Sequence, residues 1–194
     1  MNLTEVTVND YAGCVRARQC SEPFAPSSAG GQRGCNWGVP GHGGHPVNCV
    51  TYEQAEQFCR WKQSRLPTWA EWHWAVTGKE GRRFPWGNEA PVAQLCWSGG
   101  KKRHGTCKVA SFPRGDQVDG IYDLIGNVAE WTTTPTQSSE KKYLAGTSWS
   151  EDDPMLADVE LVNSDDTNRI WHGYGFRCVG RVDVDHDQAD AGTP

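Results

Sequence analysis

Eight cysteines constrain this 194-residue chain more than any other feature: Cys14, Cys20, Cys35, Cys49, Cys59, Cys96, Cys107 and Cys178. None belongs to a C-x-x-C pair, so zinc sites of the usual spacing are not indicated. An even count in a small chain is the pattern of a disulfide framework made in an oxidising compartment. The rival reading is a set of free buried thiols in a reducing cytosol. Composition favours the framework, because 22 glycines and 11 prolines describe a loop-rich fold rather than a helical bundle. Only 37% of the residues are hydrophobic, yet ten are tryptophan, so the core must be largely aromatic.

The formal net charge of −5 gives no reason to expect nucleic acid or an anionic membrane surface as a partner. No apolar run is long enough to span a bilayer, so membrane insertion is not expected. Met1 is followed at once by polar residues, and no signal peptide opens the sequence. The cysteine pattern is the stronger signal. The expected location is therefore extracytoplasmic, secreted or periplasmic, with the export signal absent from this chain.

Residues 2–8 read as a short strand that enters a helix over residues 9–18. Residues 21–44, rich in Gly, Ser and Pro, read as a long loop anchored by Cys20, Cys35 and Cys49. Thr51 and Gln54 form a capping-box pattern ahead of a helix whose apolar face carries Tyr52, Ala55, Phe58 and Cys59. Thr68 and Glu71 repeat the pattern for a second helix, with Trp69, Trp72 and Val76 facing inward. Residues 120–134, 143–149 and 175–182 read as strands. Cys96 and Cys107 flank a basic loop, Lys101, Lys102, Arg103 and His104, and are expected to pair across its base. Proximity pairs Cys14 with Cys20, and Cys35 with Cys49. One domain is expected over residues 1–182, followed by an acidic, flexible tail over 183–194.

Several ordered motifs together carry a family resemblance. Arg65-Leu66-Pro67-Thr68 leads to Ala70-Glu71-Trp72. Phe84-Pro85-Trp86-Gly87 and Gly120-Ile121-Tyr122-Asp123-Leu124 follow. Next come Gly126-Asn127-Val128-Ala129-Glu130-Trp131, Gly146-Thr147-Ser148-Trp149 and Gly175-Phe176-Arg177-Cys178. The set resembles the formylglycine-generating enzyme, or sulfatase-modifying factor, family. That resemblance implies an irregular, loop-rich α+β fold like that of C-type lectins, stapled by disulfides. It also implies a Cys59–Cys178 disulfide and a structural calcium held by Asn127, Val128 and Glu130, in keeping with calcium's preference for hard oxygen ligands.

The same resemblance exposes a departure. The family's oxidases use two cysteines soon after the Gly-Gly-Ser-Trp strand to bind copper(I), a soft ion that two thiolates suit. Here Trp149 is followed by Ser150-Glu151-Asp152-Asp153-Pro154-Met155, and no cysteine lies between Cys107 and Cys178. Copper is not expected, and no catalytic residue is assigned. The expected function is a non-catalytic module that binds a protein, peptide or glycan through its C-terminal loops. Trp149, Glu151, Asp152, Arg169, Trp171, His172 and Tyr174 are the candidate ligand-binding residues, since aromatic and arginine side chains make good anchors. The alternative is a family oxidoreductase with a divergent, metal-dependent site, drawing on His42, His45, His73 or the acids near Glu151.

Overall fold

The computed structural model describes residues 1–25, 33–115 and 120–180. The acidic tail of residues 183–194 lies outside them. Among the described residues, three short α-helices, two 3-10 turns (Pro113–Gly115 and Pro154–Ala157) and six short strands are joined by long irregular stretches: α1 (Val8–Arg16), α2 (Tyr52–Trp61), β1 (Ser64–Arg65), α3 (Trp69–Thr77), β2 (Ala129–Pro135), β3 (Lys141–Ala145), β4 (Asn163–Asp166), β5 (Tyr174–Gly175) and β6 (Val179–Gly180).

Each helix begins on a threonine that closes a reciprocal capping box. Thr7 pairs with Asp10, Thr51 with Gln54 and Thr68 with Glu71. Each box satisfies two backbone donors that a helix start leaves open, which matters most in helices of only nine or ten residues. In α2 the buried face is Ala55, Phe58 and Cys59; in α3 it is Trp72 and Val76, with Trp69 half-buried.

The larger sheet has the order β4-β3-β2-β5, with β5 parallel to β2 and the other neighbours antiparallel. A small second sheet pairs β1 with β6. Two apolar clusters fill the interior. One gathers Tyr11, Phe58, Leu66, Trp131, Leu144 and Phe176, with the Tyr11 and Phe58 rings stacked at 5.5 Å. The other gathers Trp72, Val76, Phe84, Trp97, Leu124 and Val159. All four disulfides form as expected: Cys14–Cys20, Cys35–Cys49, Cys59–Cys178 and Cys96–Cys107. They leave no free thiol. Among the described residues no helix is long and apolar enough to cross a membrane.

The strand expectations need correction: β3 stops at Ala145, short of the expected 149, residues 176–178 are not strand, and two further stretches differ more. Residues 2–8 form one bridge, Thr7 to Pro46, and isolated backbone bonds such as Val6 N–H to the Phe176 carbonyl. Residues 120–128 form no strand. Gly120, Asp123, Gly126 and Asn127 all have φ between 56° and 92°, and each left-handed residue turns the chain away from a strand. Extended structure starts only at Ala129, the first residue of β2.

A candidate ligand site on the loop face

The turn before β2 holds a buried polar network. Asn127 donates from Nδ2 to Glu5 Oε2 at 2.6 Å and accepts at Oδ1 from the Cys107 backbone N–H at 2.9 Å. Val128 N–H donates to Glu5 Oε1. On β2, Glu130 receives hydrogen bonds from Arg177 Nε and Nη2 at 2.8–2.9 Å on both carboxylate oxygens. Arg177 also donates to the carbonyls of Asn2 and Tyr122. Burial pushes the carboxyls of Glu5, Asp123 and Glu130 up from their ordinary values, and the Arg177 guanidinium pulls each of them back down.

The structure thus brings Asn127, Val128 and Glu130 together, but it commits the two side chains to protein partners. Calcium needs several oxygens free to converge on one point. With a guanidinium on both Glu130 oxygens and a backbone donor on Asn127 Oδ1, these residues do not fit the ion in this arrangement.

A cavity of about 300 Å³ opens beside this network. The β2–β3 side supplies Ala129, Gly146, Thr147 and Ser148; the following segment supplies Leu156, Leu161, Val162 and Asn163; Glu151 and Trp171 complete the lining. Gly146 is required here. It has φ +74°, and an added Cβ would sit 2.7 Å from the Leu124 carbonyl oxygen.

Of the seven ligand-binding candidates, only Glu151 and Trp171 line this cavity. Trp149, His172 and Tyr174 form a packed support. The Trp149 and His172 rings lie 4.9 Å apart, as the Trp171 and Tyr174 rings lie 4.8 Å apart. Tyr174 is buried and donates its hydroxyl to Asp165 at 2.9 Å. Arg169 pairs with Asp165 at 3.7 Å, and Asp152 is exposed. Sequence reasoning missed Leu156, Leu161 and Val162. Their signal was partial: large apolar residues interspersed among acids, of which these three are solvent-exposed in the structure.

His42, His45 and His73 are not assembled into one centre. His42 and His45 stack at 4.4 Å, with their Nδ1 atoms bonded to Asn36 Oδ1 and Thr106 Oγ1. His73 lies elsewhere, bonded through Nε2 to Glu160. Among the described residues no group of three His, Cys, Asp or Glu side chains could hold a metal ion.

Fold and site together define a disulfide-stapled, C-type-lectin-like scaffold that presents a loop-lined cavity. Residues 1–182 match the family model described as the sulfatase-modifying factor enzyme 1-like domain. The chain belongs to the formylglycine-generating enzyme, or sulfatase-modifying factor, family. It is 38% identical over 152 residues to the inactive C-alpha-formylglycine-generating enzyme 2 of Bos taurus, covering 69% of this chain and 50% of that protein. It is also 38% identical over 97 residues to the hercynine oxygenase of Mycolicibacterium smegmatis, covering 48% of this chain and 22% of that protein. This chain therefore spans half or less of the length of both curated relatives. Among solved structures, CarF superposes with a TM-score of 0.70 at 22% identity, over 93% of this chain and 85% of that one, which shows the shared fold.

Proposed function

We propose that this chain is a non-catalytic member of its family, an extracytoplasmic module that binds a partner through the cavity of its C-terminal loop face. One observation carries the reading: every cysteine is held in a disulfide, and the stretch after Trp149 offers carboxylates where the family's oxidases place thiolates. Carboxylates are hard ligands and suit copper(I) poorly. The similarity to a relative named as inactive supports the same reading. Four disulfides support an oxidising compartment.

Aerobic incubation with copper(I) and a Cys-x-Pro-x-Arg peptide is expected to leave the peptide cysteine unchanged by mass spectrometry. Conversion to formylglycine would overturn the reading. The relation to a hercynine oxygenase favours the oxidoreductase alternative; against it, His42 and His45 Nδ1 are already bonded to Asn36 and Thr106, and His73 Nε2 to Glu160.

Calcium belongs to the same proposal in a negative sense. To bind at Glu130 it would have to displace Arg177. Thermal melts in millimolar calcium and in EDTA are expected to coincide within about 1 °C, because an ion without differential affinity for the folded state shifts nothing. A calcium-dependent rise of several degrees would place the metal in the fold.

A further inference from the structure

The cavity on the loop face carries an unbalanced charge. Glu151 lines it, and among the described residues its carboxylate makes no hydrogen bond or ion pair. Three other acids of this face already have partners. Asp158 pairs with Arg83 at 2.6 Å, Asp165 with Arg169, and Glu160 bonds His73. Arg103, on the loop packed against Glu151, turns away and donates to the Trp97 carbonyl. Asp152 and Asp153 follow Glu151 in sequence and add negative charge on the solvent side. Around Glu151 the lining is apolar: Leu156, Leu161, Val162 and the ring of Trp171.

An anion would meet Glu151 and its two acidic neighbours. A neutral apolar ligand would bury the Glu151 carboxylate unpaired, which is costly in a low-dielectric site. A cation on an apolar stem avoids both penalties. Its stem can lie along the leucines while its head meets Glu151, and Trp171 offers an aromatic face to the same charge. The cavity volume is at the small end for ligand sites, the scale of one side chain. The apolar surface continues beyond the cavity, with Met155 72% exposed, Leu161 49% and Val162 39%. That surface exceeds what a lone amine can cover and suits a chain with apolar neighbours.

We infer that this cavity receives an arginine or lysine side chain of a partner polypeptide, flanked by apolar residues, with Glu151 as its counter-ion. The inference rests on the binding-module reading and names the chemistry of its ligand.

Three fluorescein-labelled pentapeptides test it on the full chain: Gly-Leu-Arg-Leu-Gly, and the same peptide with Gln or Glu at its centre. Propylguanidine alone is a fourth probe. Fluorescence anisotropy is expected to show the Arg peptide binding about tenfold tighter than the Gln peptide, with the Glu peptide weakest. High salt is expected to narrow the gap. Glu151→Gln is expected to erase the Arg-over-Gln preference, and Leu161→Ser to weaken both peptides alike. Both positions are solvent-accessible, and circular dichroism of each variant checks that it folds.

Equal binding of the Arg and Gln peptides would overturn the inference while leaving the binding face intact. Propylguanidine competing as strongly as the Arg peptide would overturn the polypeptide partner. If no peptide binds, the inference fails, and the module reading still stands or falls on the formylglycine assay.

Discussion

Replacing Arg177 with methionine is expected to destabilise this protein by about 3–5 kcal/mol at neutral pH, the usual cost of removing one partner from a buried ion pair. Arg177 and Glu130 are both wholly buried. Arg177 stands on the last motif of the chain and Glu130 on β2, and Arg177 additionally satisfies carbonyls at Asn2 and Tyr122. Its loss leaves an unpaired carboxylate and two unpaired carbonyls in the interior. Urea unfolding measures the loss. Adding Glu130→Leu to Arg177→Met is expected to recover part of it, because the double variant buries no orphaned Glu130 charge.

The pH dependence gives this prediction a sign. Glu5, Asp123 and Glu130 all have carboxyl groups raised by burial, and Arg177 holds all three lower than burial alone would. A raised carboxyl keeps its proton in the folded state after the unfolded chain has lost it. Stability from such a group is present below the unfolded value and is lost as pH rises toward the folded one. Without Arg177 the three carboxyls rise further. The variant is therefore expected to recover stability as pH falls from 7.5 toward 5, narrowing its gap to the parent protein. A loss under about 1 kcal/mol, or one that is constant with pH, would show that Arg177 is not what holds these carboxylates.

This network also shows what the sequence could and could not disclose. The motif containing Glu130 and the one containing Arg177 were legible as ordered signatures, and the helix starts at Thr51 and Thr68 as local capping chemistry. Those features are encoded by residues three or four apart. The Glu130–Arg177 pair spans 47 positions, and Glu5 reaches Asn127 across 122. Such partners are set by packing, which no local pattern records. The calcium expectation shows the same limit: Asn127 and Glu130 were legible, but not the arginine that lies on Glu130. β4 escaped notice because Asn163-Ser164-Asp165-Asp166 has poor strand propensity, and it is extended only because β3 pairs with it. The cavity was half legible. Glu151 and Trp171 stood out by chemistry, whereas Leu161 and Val162 acquire meaning only once β3 and β4 bring them beside Ser148.

Removal of the Cys59–Cys178 disulfide by a double alanine substitution is expected to cost about 5 kcal/mol. The bond joins α2 to the residue before β6 across 119 positions. In the chain-entropy account the stabilisation grows with the logarithm of the closed loop, which puts a loop of this length near the top of the usual range. Cys96–Cys107 lies inside that loop but shortens it by only 11 positions, so the logarithm barely changes. Both sulfurs are also buried in the same aromatic cluster as Phe58 and Phe176, and two alanines leave a void there. The strand pairing of β1 with β6 depends on this staple too: Ser64 and Arg65, five and six residues after Cys59, pair with Val179 and Gly180, directly after Cys178. For a chain of this size the expected fall in Tm is roughly 10–20 °C. By contrast, the Cys14–Cys20 bond closes a loop of only six positions, so its removal is expected to cost clearly less. Thermal melts of the two double variants, side by side, read the difference. Equal losses would mean that native-state packing around the sulfurs, and not loop closure, sets the stability of this framework.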